Sequence, residues 1–259
     1  MKKKTSIISM ILFGITILAN YLISFNFIPG VLSQKYVSDK YPTPITPASF
    51  TFSIWGVIYI LLVVALIYFL MKGEDKGIYS EEVEKAAPAL WVMFIANILW
   101  NLLFGLEYIV LSTVVIIIYA ISIIYFTKVI SNKKYKLNEV VPIEFGLHAG
   151  WITVASIVNI YASLSSKSAT IFANQSFWIM IGLIIAFILA FIVSNITDNA
   201  YVPLPIAWAF WGIKNNEVVK ALDSSTINIM AIVLMVILIA YTVKKVIDKF
   251  LDEKKSNFE

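Results

Sequence analysis

The chain contains no cysteine, no arginine and a single histidine, His148. Without cysteine there can be no disulfide, no thiolate zinc site and no cysteine nucleophile. One histidine excludes a multi-histidine metal centre within the chain. All 20 basic residues are lysine, so no planar guanidinium clamp for phosphate or carboxylate exists. Charge is scarce as well: 14% of residues are charged and 60% hydrophobic, with a mean hydropathy of +0.86. A soluble domain carries about a quarter charged residues. So few charges cannot cover an aqueous surface, and the 259 residues read as a polytopic, all-α membrane protein. The net charge of +4 does not signal a nucleic-acid partner, because the lysines flank apolar runs, where topology accounts for them.

A transmembrane helix needs roughly 20 apolar residues at about 1.5 Å each. Seven segments meet that length: Ile7–Phe27, Pro47–Met71, Ala86–Gly105, Tyr108–Ile130, Val140–Leu164, Ser176–Ile196 and Ile227–Val246. An eighth, Ala200–Ile213, is apolar but short. Lysine placement decides whether it crosses. With eight crossings and a cytoplasmic N-terminus, fifteen lysines lie inside and five outside. With seven crossings the lysine-rich C-terminal segment would be external, against the positive-inside rule. Eight spans are expected, with both termini cytoplasmic. Lys2–Lys4 ahead of an apolar run resembles a signal peptide, but the run is long and no A-x-A pattern follows, so it is expected to be the first helix.

The longest loop, Ile28–Thr46, carries Pro29, Gly30, Pro42 and Pro44, and proline stiffens it. Thr46 is expected to cap the second helix, with Pro47 at its first position. The tight turn Gly105-Leu106-Glu107 makes the third and fourth helices antiparallel neighbours. Trp91, Trp100 and Trp178 lie near helix ends, where aromatic belts form. Trp151 lies eleven residues into its span, close to the midplane, and Trp55 and Tyr59 share one helix face. A buried indole or phenol needs a polar partner. Asn97 and Asn101 share a face with Phe104, and buried amides commonly join helices. Glu144 and His148 are also one turn apart, with Glu144 expected near the cytoplasmic boundary and His148 deeper and neutral. No nucleophile–histidine–carboxylate spacing, H-E-x-x-H, P-loop or G-x-G-x-x-G is present. An enzyme is therefore the less favoured class, and no cofactor or metal is expected.

Three motifs in order form a pattern. The stretch PTPITPASFTFSIWGVIY at 42–59 places a proline, Pro47, eight residues before Trp55 and a tyrosine, Tyr59, four after it. Asn97, Trp100 and Phe104 make N-x-x-W-x-x-x-F, and Trp151, Ala155 and Asn159 make W-x-x-x-A-x-x-x-N. On these the chain resembles the translocator protein / tryptophan-rich sensory protein (TspO/MBR) family. It departs from the family pattern at Pro44 and Thr46 in the loop, at Asn101-Leu102 after the helix-three tryptophan, and at Leu147 before Trp151. The resemblance implies a five-helix core over residues 1–165, with about three accessory helices in 166–259 standing clear of the ligand cavity. It also implies a bacterial cell-membrane receptor or carrier for flat apolar ligands such as porphyrins or sterol-like lipids. Trp55, Tyr59, Trp100 and Trp151 would be the cavity walls, with Pro47, Asn97 and Asn159 beside them. Porphyrin breakdown at the tryptophans is an activity the resemblance raises and the residues do not display. The expected partners are the lipid bilayer, a hydrophobic small molecule such as a porphyrin, and a second copy of the chain. A transporter of a small apolar metabolite and a ligand-free membrane scaffold stand as the alternative readings.

Overall fold

The computed structural model describes residues 1–75, 81–131, 138–168 and 170–256, with side chains to Leu251. Every element among them is helical: α1 (Lys3–Ser24), α2 (Gln34–Lys40), a 3-10 turn (Ser49–Ser53) running into α3 (Ile54–Lys72), α4 (Glu81–Gly105) and α5 (Ile109–Ile130). Then come α6 (Val140–Lys167), α7 (Gln175–Thr197), α8 (Pro203–Lys214), α9 (Glu217–Ala221) and α10 (Ser225–Ser256). Seven helical segments are long and apolar enough to cross a membrane: α1, α4, α5, α6, α7, α10, and the 3-10 turn together with α3. Their lipid-facing residues, such as Ile60, Ile121 and Ile188, are exposed, as apolar solvent requires.

The eighth expected span is different in kind. α8 has 12 residues, about 18 Å at helical rise, which is shorter than a hydrocarbon core. Its flanking turns complete the passage, as the contacts at the two ends of the bundle show. At the lower end the Met1 amino group donates to Gly73 O (2.8 Å) after α3. At the same end Asn138 N, before α6, donates to the Tyr68 hydroxyl of α3 (3.3 Å). Asn199, between α7 and α8, donates there to Ser131 Oγ (3.2 Å) and Pro142 O (2.8 Å). At the upper end Leu32 N donates to Gly105 O (2.9 Å), and Ala48 N donates to Gly212 O of α8 (3.0 Å). Lys245 and Lys249 of α10 return to Asp198 (3.7 Å) and Glu139 (2.8 Å) at the lower end. The chain therefore passes between the ends eight times, and the first and last spans both have their chain-terminal ends at the lower face.

α6 is the most deeply buried span and packs against α3, α5, α7 and α8. Gly146 and Gly150 lie one turn apart where α8 crosses it. A Cβ on Gly146 would overlap Asn199, and one on Gly150 would overlap the Val202 carbonyl and the Pro205 ring. Small residues four apart permit this close approach between helices in lipid. α4 and α5 pack as the antiparallel neighbours that the Gly105-Leu106-Glu107 turn implies. Glu107 closes that turn at φ 63°.

The entry into α3 departs from expectation. Thr46 does not cap the helix: its hydroxyl pairs with that of Thr43 (2.8 Å), and regular structure begins at Ser49, with Pro47 ahead of it. The bond from Ala48 N to Gly212 O, together with that from Trp208 Nε1 to Thr51 O (2.9 Å), ties this stretch to α8 instead.

Candidate functional site

A cavity of about 630 Å³ opens at the upper end of the bundle. Its deep walls are aromatic: Phe52 and Trp55 at the start of α3, Trp100 and Phe104 on α4, and Trp151 on α6. Val154, Ala155, Val158, Asn159 and Ala162 complete the α6 side at helical spacing. The rim is polar, formed by Ser33, Gln34, Lys35, Ser38 and Asp39 at α2 and by Asn215, Asn216 and Glu217 at the α8–α9 turn. A space of this size, apolar in depth and polar at its mouth, suits a drug-sized ligand with one wet edge.

The aromatic rings meet edge to face. Trp55 and Trp151 have centroids 6.3 Å apart at 88°, and Phe52 meets Trp151 at 5.9 Å and 89°. Trp151 is almost wholly buried, yet among the described residues its indole Nε1 has no hydrogen-bond partner. Trp100 is the opposite case. Its Nε1 donates to Asn159 Oδ1 (2.9 Å), and Asn159 Nδ2 donates to Ser112 Oγ (3.1 Å) and Thr113 Oγ1 (2.6 Å) of α5. This set of bonds joins α4, α5 and α6. It leaves Asn159 polar atoms already occupied, so its part in the wall is to fix the rings.

Five of the seven residues singled out from the sequence, Pro47, Trp55, Trp100, Trp151 and Asn159, line the cavity. Tyr59 and Asn97 do not. They lie beneath it, around a gap too small for a water molecule that is shared with Tyr119 and His148. Asn20 Nδ2 donates to both, to the Tyr59 hydroxyl and to Asn97 Oδ1, each at 2.9 Å. Tyr59 still touches the site through Trp55, ring to ring at 5.2 Å.

Three further expectations change. Trp100 is a buried wall residue rather than part of a belt, because α6 packs over it and supplies an acceptor. Glu144 is not at a wetted boundary: it is fully buried, since the turn after α7 folds over the first turns of α6. The last three helices do not stand clear of the cavity, for the α8–α9 turn supplies Asn215, Asn216 and Glu217 to its rim. Sequence reasoning also passed over Phe52, Gln34, Asn20 and Tyr119. Asn20 and Tyr119, polar groups inside apolar spans, were visible signals; Phe52 and Gln34 gave none.

α2 forms one side of the rim and is fastened to the turn after α4. Lys40 Nζ contacts both Glu107 carboxylate oxygens at 2.7 Å, and the Tyr41 hydroxyl donates to Glu107 Oε2 at 3.2 Å. The Lys40 hydrogen bond holds the Glu107 carboxyl below its ordinary range, and the same bond raises the Lys40 ammonium. Gln34, at the other end of α2, donates its side-chain amide to Asn101 Oδ1. Among the described residues no cluster of histidine and carboxylate groups could hold a metal ion.

No curated protein and no solved structure matches the chain. A family model does: that of the TSPO-like proteins matches residues 6–244. The match begins in α1 and ends in α10, so it takes in α8 and the α8–α9 turn as well as α3, α4 and α6, the helices that carry the motifs. On that span the chain belongs to the TSPO-like protein family.

Proposed function

We infer that this integral, multi-pass membrane protein is of sensory or translocator type, as membership of the family implies. We propose that it binds a flat apolar ligand carrying a hydrogen-bond acceptor, a tetrapyrrole such as protoporphyrin IX or a sterol-like lipid, in the upper cavity. The observation that carries this reading is Trp151: a buried indole whose ring faces Trp55 and Phe52 and whose N–H has no partner among the described residues. A buried donor left unpaired costs about 1–3 kcal/mol, and a ligand acceptor placed against it recovers that cost on binding. The apolar body of the ligand would lie against the rings, with its polar edge at the Gln34–Asp39 rim.

The test is a titration of the purified protein with protoporphyrin IX, read by tryptophan fluorescence. Trp151→Phe keeps an aromatic ring and removes the N–H, so binding should weaken several-fold to about thirtyfold while the protein stays folded. Trp178→Phe is the control: Trp178 packs against Tyr161 and Phe172, away from the cavity lining, and should change affinity little. Equal affinity in the wild type and Trp151→Phe would sink this reading.

A further inference from the structure

Beneath the cavity a single train of hydrogen bonds runs from its rim into α6. Gln34 donates to Asn101 Oδ1, Asn101 Nδ2 to Asn20 Oδ1 (2.8 Å), and Asn20 Nδ2 to Asn97 Oδ1 (2.9 Å). Asn97 Nδ2 then donates to the Tyr119 hydroxyl at 3.2 Å. That hydroxyl lies 2.5 Å from His148 Nε2, and His148 Nδ1 lies 3.0 Å from Glu144 Oε1. An ionised Glu144 can only accept, so a neutral imidazole paired with it carries its proton on Nδ1 and accepts the Tyr119 hydroxyl proton at Nε2. Every donor in the train thus faces the same way, an order that a neutral imidazole satisfies and an imidazolium breaks.

We propose that His148, held against Glu144, is a proton-binding site whose occupancy is linked to occupancy of the cavity. Both side chains are at most 1% exposed, and Glu144 Oε2 has no partner among the described residues. A carboxylate beside a neutral imidazole leaves one net negative charge in a buried site, and one added proton removes it. When that proton is placed on Nε2, His148 becomes a donor to Tyr119, and the Tyr119 hydroxyl must turn to another acceptor. Its neighbour is the Asn97 amide, which must exchange Nδ2 for Oδ1. The exchange passes through Asn20 and Asn101 to Gln34, the residue that fastens α2 at the rim. The train therefore has two orders, and a ligand that favours one of them biases the proton, as linkage requires. A second contact runs in parallel: the Trp55 ring, part of the cavity wall, meets His148 edge to face at 6.0 Å.

Among the described residues, the titratable side chains that face the pair from neighbouring helices are Tyr119 of α5 and Tyr59 of α3. α7 carries no acidic or basic residue between Gln175 and Thr197, and Lys214 of α8 lies at the upper end of that helix. Glu139 at the start of α6 is exposed and bonded to Lys249.

Because His148 is the only histidine, labelling histidine with nitrogen-15 reads this site alone in the full chain held in lipid nanodiscs. On acidification the ring should pass from the Nδ1–H neutral form to the imidazolium. Gln34→Met, on an exposed short helix at the rim, cuts the far end of the train. It should move the midpoint by about half a pH unit, roughly a threefold change in proton affinity. Added protoporphyrin IX should move it too. A ring that keeps one protonation state throughout, or a midpoint that Gln34→Met leaves in place, overturns the proposal. So does porphyrin that binds without moving the midpoint. The cavity ligand rests on the function proposed above: if protoporphyrin IX does not bind, that reading falls, and the Gln34→Met comparison, which needs no ligand, decides the proton site.

Discussion

Trp100 and Trp151 come from motifs of the same kind, yet their indole nitrogens have opposite fates. Trp100 Nε1 is bound by Asn159, which is bound in turn to α5; Trp151 Nε1 is bound by nothing among the described residues. Trp100→Phe should therefore act on stability. It leaves Asn159 Oδ1 buried without its donor, a loss of about 1–3 kcal/mol, visible as a lower thermal unfolding temperature in detergent. Trp151→Phe should leave that temperature close to the wild-type value, since no bond within the protein is removed. If Trp151→Phe proves the more destabilising of the two, the roles assigned here are reversed. Position along the helix put Trp151 in the interior but Trp100 near a belt, and only the family resemblance put both rings on a cavity wall. Which nitrogen finds a partner was not legible in the sequence, because the bond depends on the register between α4 and α6, 59 residues apart along the chain. Tyr59 and Asn97 show the same limit. Their spacing put them on the right faces, but whether such a face meets a cavity or a neighbouring amide is decided by Asn20 of α1.

At the scale of helices, the contact between α6 and α8 shapes the cavity. Gly146 and Gly150 admit α8, and α8 in turn holds the entry of α3 through Gly212 and Trp208, placing Phe52 and Trp55 against Trp151. Gly150→Val would drive a branched side chain into the Val202 carbonyl and Pro205. Overpacking of this sort costs about 1–3 kcal/mol, and here it should also weaken porphyrin binding by pushing the α3 entry away from Trp151. Gly14→Ala is the matched control: a Cβ there meets nothing within 4 Å, and alanine is the better helix former. It should be neutral or stabilising in the same thermal assay, and a Gly150→Val protein as stable as wild type would show that α8 is not seated by this contact. The apolar runs made every one of the long spans legible. The shortness of α8 was legible too, but its depth was not, since two glycines in α6 acquire their meaning only from the helix that crosses them.

For the whole molecule, the question is which membrane face each end of the bundle meets. The contacts settle the relative arrangement: the start of α1 and the last turns of α10 lie at one end, and the cavity opens at the other. Lysine asymmetry then assigns the faces. By sequence, the segments that follow an even number of spans carry fifteen lysines and those that follow an odd number carry five, among them Lys35 and Lys40 on α2. Lysines near span ends are retained on the cytoplasmic side, so the lower end should be cytoplasmic and the cavity should open outward. Reporter fusions placed after Lys4 and after Glu259 should both read cytoplasmic, and one placed in the Asn215–Glu217 turn should read external. The third fusion carries the most information. α8 is too short to be counted as a span by length, and its crossing rests on the bonds of Asn199 at one end and Gly212 at the other. An internal reading at Asn215–Glu217, with the C-terminal fusion then reading external, would mean that α8 enters the bilayer and returns on the same side. The α8–α9 turn would then leave the rim, and the cavity would lose that wall.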